Sequence, residues 1–182
     1  LHSKIILYSA LVLILVGWFF YYIFELNENL YNLTYPEKIM SSLFMSISTR
    51  TAGFNTMDLT QLSEPGLLLT MCLMFIGAGV GSTSGGIKTT TAAILLAAII
   101  SFAKGKKDVV IFKRRIENET IRHASAILIV YMAAVLVSTT VICFVDGISL
   151  QDGLFETIAA VSTVGYSRIG IHSMSIFSRI IM

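Results

Sequence analysis

Two short stretches carry the residues best suited to chemistry: "STRTAGFNT" (Ser48–Thr56) and "VSTVGYS" (Val161–Ser167). They superpose as Thr51 on Thr163, Ala52 on Val164, Gly53 on Gly165, Phe54 on Tyr166 and Asn55 on Ser167, with the glycines 112 positions apart. Upstream, Ser42-Leu43-Phe44 matches Gly153-Leu154-Phe155 at a spacing of 111. Neither cluster contains an acidic residue. That composition suits a dehydrated monovalent cation, which needs several oxygens in place of its water shell. Main-chain carbonyls supply them when successive residues aim them at one axis. Glycine reaches the backbone angles this requires, and the threonines add hydroxyl oxygens.

A third stretch, "GAGVGSTSGGIK" (Gly77–Lys88), admits other chemistries. A phosphate loop requires G-x-x-x-x-G-K-[ST], but here Ile87 intrudes between Gly86 and Lys88. Ser84 and Lys88 stand four apart, the spacing of a membrane Ser–Lys hydrolase dyad on a helix. The glycines oppose a regular helix there, and a dyad explains neither cluster. The chain reads as a non-enzyme.

The elements that must position these residues are apolar. Hydrophobic residues make up 55% of the 182-residue chain and charged ones 13%, with a mean hydropathy of +0.79. That balance excludes a soluble domain. The two cysteines, Cys72 and Cys143, lie in apolar stretches without C-x-x-C spacing and read as small hydrophobes. A helix needs about 20 apolar residues to cross the hydrocarbon core. Residues 5–24 and 124–145 satisfy this. A third span begins near Pro65, breaks at Gly77–Thr91 and resumes through Ala103. Such a break is tolerable only where protein or a wet cavity satisfies its backbone. Residues 36–49 and 150–161 are too short to span and end at the clusters, so they read as re-entrant helices. The fold class is therefore all-α integral membrane: repeated helix–pore-loop–helix units with a broken transmembrane helix.

Seven Lys/Arg lie between Lys104 and Arg122, against Asp108, Glu117 and Glu119. This places the loop 104–122 in the cytoplasm by the positive-inside rule, and a nucleic-acid partner is not expected between two spans. The domain division is residues 1–103, a basic linker 104–122, and a second unit 123–182.

"RTAGFNT" with "GSTSGGIKTTT" resembles the Trk/Ktr/HKT superfamily of potassium uptake proteins, the Ktr-type membrane subunit most of all. The resemblance runs from Ile5 to Met182. It implies four helix–pore helix–helix units around one pore, of which this chain holds the third and most of the fourth. The chain would then be the C-terminal half, with its N-terminal half as a partner. The filter would comprise Thr51, Ala52, Gly53, Phe54, Thr163, Val164, Gly165 and Tyr166, binding potassium through their carbonyls. The gate would be an intramembrane loop of Gly77, Gly79, Gly81, Ser82, Thr83, Ser84, Gly85, Gly86 and Lys88. Lys88 either repels cations in a closed state or pairs with a carbonyl. Arg50 either tunes ion access or braces its short helix. Further implications are a homodimer in a bacterial cell membrane, surrounding lipid, and a cytoplasmic nucleotide-binding regulatory subunit. Potassium is the substrate, sodium coupling stays open, and no organic cofactor is implied. The alternative is a non-conducting membrane anchor for the regulator.

Overall fold

The computed structural model describes residues 2–50, 52–79, 81–82, 84–105, 108–111, 114–170 and 174–181. The helices are α1 (His2–Phe24), α2 (Tyr35–Ser48), α3 (Glu64–Phe75), α4 (Thr89–Ala103), α5 (Asn118–Asp146), α6 (Leu150–Val161) and α7 (Ile176–Ile181). A two-residue ribbon pairs β1 (Val110–Ile111) with β2 (Arg114–Arg115).

α1 and α5 have 23 and 29 residues. At about 1.5 Å per residue both exceed a hydrocarbon core of about 30 Å. Only 17% of the apolar window in each is buried. The core helix of a soluble protein would hide such residues. Here Leu7, Leu11, Phe19, Ile129, Val130, Val137 and Phe144 point outward, as lipid-facing side chains do. α5 starts at Asn118, before the apolar run at Ala124, because its charged first turn extends the helix beyond the hydrophobic stretch. Part of the linker 104–122 is thus helix and part is ribbon.

The short helices sit inside. α2 begins behind Thr34, whose N–H donates to Glu37 Oε2 at 2.8 Å, and has Pro36 in its first turn. α6 begins behind Ser149, whose hydroxyl accepts from Asp152 N at 3.1 Å. Met45 and Phe155 on these helices are fully buried and pack with Tyr21, Leu30, Leu67 and Met74 in one core. Each short helix is also tied to a long one by a tyrosine. Tyr21 Oη lies 2.7 Å from Thr70 Oγ1 and 3.3 Å from Thr49 Oγ1, and Tyr131 Oη lies 2.6 Å from Ser162 Oγ. Thr49 and Ser162 both stand at short-helix C-termini, so each short helix has a tyrosine–hydroxyl tie at the same end.

α1 and α2 approach closely because Gly17 has no side chain. A Cβ there would stand 2.4 Å from Ser46 Oγ and 3.0 Å from Leu73 Cδ1. Ser46 Oγ also donates to Ile14 O at 2.8 Å. Gly17→Leu is expected to push α2 off α1 at a cost of about 1–3 kcal/mol, the usual range for overpacking. Thermal unfolding of the purified variant in detergent checks this; an unchanged midpoint would mean that the interface has slack.

Glu25, fully buried beyond the end of α1, holds the next turn of chain. Its carboxylate accepts from Ser63 Oγ at 2.7 Å, Ser63 N at 3.1 Å and Asn29 Nδ2 at 2.9 Å. Ser63 caps α3, so this network fixes where α3 starts. In the preceding loop, hydrogen bonds from the Thr60 hydroxyl and then its amide hold Asp58 below the usual carboxylate range.

Candidate functional site

The two clusters meet. Each follows the C-terminus of a short helix, where the chain turns back on the last carbonyls: Ala52 N donates to Ser48 O at 3.0 Å, and Val164 N to Ala159 O at 2.9 Å. Gly53 has φ +75° and Gly165 φ +85°, both left-handed. Gly53 lies directly against the second cluster, since a Cβ there would stand 2.3 Å from Val164 O. Tyr166 Oη donates to Phe54 O at 2.9 Å, and Ser48 Oγ donates to the same carbonyl. With both lone pairs engaged, Phe54 O joins the clusters to each other. In the second cluster Val164 and Tyr166 are buried while Thr163 and Gly165 are exposed. Thr163 adopts φ +57°, costly for a β-branched residue and stable only where neighbours hold it.

One such neighbour is the glycine-rich break. Gly85 N donates to Thr163 Oγ1 at 2.7 Å, and a Cβ on Gly85 would stand 2.4 Å from Val161 O. Several backbone groups among the described residues of the break pair with its own flanks. Ile76 and Ile87 form a parallel bridge, Ile87 N donates to Phe75 O at 3.2 Å, and Thr89 N donates to Ala78 O at 3.3 Å. Gly77 lies where a Cβ would touch Gly85 O at 2.3 Å. Ser84, almost buried, accepts from Ala78 N at 3.2 Å and meets Ser82 Oγ at 2.6 Å. Lys88 Nζ donates to Ser84 O at 2.5 Å and Ser82 O at 3.1 Å. Of the two roles left open for Lys88, carbonyl pairing is what its geometry displays.

Gly77, Gly85 and Gly86 thus lie together, with Gly85 and Gly86 against the second cluster, while Gly79 packs toward Ile6 and Thr89; Ser82 and Ser84 are joined through Lys88. Gly81, at φ +95°, lies on the exposed side of the same loop. Ala52, Gly53 and Phe54 come together with Val164 and Tyr166. Thr51 and Thr83, expected in the filter and the gate, lie outside the described residues, as do Lys106, Lys107 and Lys113 of the basic loop. Arg50 Nη1 donates to Ala10 O at 3.1 Å, which braces the end of α2 on α1.

Sequence reasoning missed three participants: Tyr21, Tyr131 and Glu156. The tyrosines had no signal beyond their position in apolar helices. Glu156 had one, because an acidic residue in the middle of an intramembrane helix is costly and rarely idle. It is buried beneath the segment that leaves the second cluster.

A family model described as "TrkH: Cation transport protein" matches residues 2–180. The chain belongs to this cation transport family. It is a family of membrane transport proteins, not of enzymes. Among curated relatives, the Ktr system potassium uptake protein B of Vibrio alginolyticus is 38% identical over 167 residues, covering 91% of this chain and 37% of the relative. The potassium/sodium uptake protein NtpJ of Enterococcus hirae is 36% identical over 170 residues, covering 91% and 38%. The Ktr system potassium uptake protein D of Bacillus subtilis is 34% identical over 167 residues, covering 92% and 37%. The chain therefore spans less than two-fifths of the length of these relatives.

Proposed function

We propose that the chain forms two walls of a potassium path through a cell membrane. The observation that carries this is the meeting of the clusters: Gly53 against Val164 O, with Phe54 O bonded to Tyr166, at the C-termini of two internal helices. Carbonyl ends of helices carry partial negative charge and favour a cation in front of them. Cation-coordinating oxygens come from residues 51–53 and 163–166, while Phe54 O serves as the cross-brace. The names of the Vibrio and Bacillus relatives specify potassium, and that of the Enterococcus relative adds sodium.

In this reading residues 1–103 are one helix–pore helix–filter–broken helix unit and residues 123–182 belong to a second, joined by the basic linker 104–122. The basic loop faces the cytoplasm, lipid surrounds α1 and α5, and the rest of the ring comes from the remainder of the polypeptide. The glycine-rich loop forms the gate, with Gly85 N bonded to Thr163 Oγ1. Kinship to Ktr-type subunits supports a homodimer served by a cytoplasmic nucleotide-binding regulator.

The test uses the polypeptide that carries this chain, reconstituted in vesicles under a potassium gradient. Potassium uptake that exceeds sodium uptake is expected. An absence of flux, with or without the cytoplasmic partner, would sink the transport reading and leave the membrane-anchor alternative.

A further inference from the structure

We propose that Glu156 is the positioning residue for the second wall of the filter, which rests on the potassium-path reading above. Its side chain is 3% exposed, and a single oxygen collects three donors from the chain that leaves the cluster. Glu156 Oε1 accepts from Arg168 N at 2.7 Å, Ser167 Oγ at 2.9 Å and Ile169 N at 3.2 Å. Ser167 Oγ in turn accepts from Gly170 N at 3.0 Å. A carboxylate that gathers successive backbone N–H groups fixes their orientation, and bonds to a charged acceptor are stronger than those to a neutral one.

The Arg168 side chain makes the clamp two-sided. Its Nη1 pairs with Asp152 Oδ1 at 2.7 Å, one helical turn before Glu156 on α6. Its Nε donates to Leu59 O at 3.0 Å, in the segment that follows the first cluster. α6 therefore holds Arg168 by both backbone and side chain, and Arg168 links α6 to the segment that follows the first cluster.

The first unit is built differently. The Ser42-Leu43-Phe44 register places Met45 where the second unit has Glu156, and Met45 is fully buried with its sulfur 3.9 Å from Tyr166 Oη. One wall is thus backed by apolar packing and the other by a carboxylate clamp. The second wall has a physical need for it, because Thr163 sits at φ +57° and a strained residue relaxes when its surroundings loosen. Residues 163–166 are gripped from below by Gly85 and from beyond by Glu156. The carbonyls between those two grips are the ones whose direction decides which cation fits.

The experiment compares the full-length wild type with Glu156→Gln and Ser167→Ala in vesicles, reading potassium and sodium uptake side by side. Glu156→Gln is expected to lower potassium-over-sodium discrimination at least fivefold and to raise the KM for potassium. The inserted amount and the elution profile should stay as in wild type. Ser167→Ala, which removes one of three donors, should shift discrimination in the same direction by about twofold. In parallel, amide exchange at Arg168 and Ile169 should accelerate at least tenfold in Glu156→Gln. An unchanged discrimination ratio in the Gln variant overturns the inference. If that variant is not recovered folded, an unchanged ratio in Ser167→Ala does so instead. Absence of potassium flux in the wild type defeats the underlying reading and this inference together, whereas wild-type flux with unaltered variants defeats this inference alone.

Discussion

Gly53→Ala is expected to abolish potassium-selective uptake while leaving the protein in the membrane. Two effects add. The backbone at Gly53 has φ +75°, a left-handed conformation that costs a residue with a Cβ about 1–2 kcal/mol. The new methyl would also stand 2.3 Å from Val164 O, well inside van der Waals contact, so one wall must move. That carbonyl belongs to the proposed coordinating set, and its displacement changes the cavity that replaces potassium's water shell. A loss of at least tenfold in potassium-over-sodium uptake is expected, equivalent to about 1.4 kcal/mol between the two ions. Parallel uptake in vesicles measures it. Wild-type discrimination in this variant would show that Val164 O does not face the ion.

Freeing the glycine-rich loop should have the second-largest effect, in the opposite direction. Lys88→Met removes the ammonium that bonds Ser84 O at 2.5 Å and Ser82 O at 3.1 Å, so the loop loses its strap. If the loop is the proposed gate, potassium uptake should rise severalfold, because a loop without its internal strap obstructs the path less of the time. Deleting residues 79–84 should act the same way, since it removes both acceptors. Lys88→Arg separates strap from charge: it keeps the positive charge and donors but changes their reach and shape. If Lys88 acts only as a repelling charge, Arg behaves as wild type. If it acts as a strap with this geometry, Arg falls between wild type and Met. Unchanged uptake in both Lys88→Met and the deletion would remove the loop from the gating role.

The elements that place the candidate site were legible in the sequence because their signals are local. The apolar runs at 5–24 and 124–145 exist as helices, and α6 occupies residues 150–161 as read. The expected break at Gly77–Thr91 does fall between α3 and α4, but α4 begins at Thr89, so the last three residues of that stretch are already helix. What was less legible was the start of α5, because hydropathy marks where lipid begins and not where helical hydrogen bonding begins. The ribbon of Val110–Ile111 and Arg114–Arg115 had no signal either, as two-residue strands leave no periodicity.

Hydropathy, glycine content and element order are properties of neighbouring residues, so the sequence by itself determined a membrane-embedded helical chain with one broken helix and two matching clusters. The tertiary structure alone decided that Gly53 packs on Val164 O, that Phe54 O is consumed by Tyr166 and Ser48, and that Lys88 straps the loop. It also decided that Glu156 holds the chain beyond the second cluster. The first two join residues more than a hundred positions apart, as Tyr166 and Phe54 do at a separation of 112. The others turn on which way a carbonyl, an ammonium or a carboxylate points once the helices have packed. No local pattern encodes that direction, because it is set by the close approach that Gly17, Gly53 and Gly85 permit between separate parts of the chain.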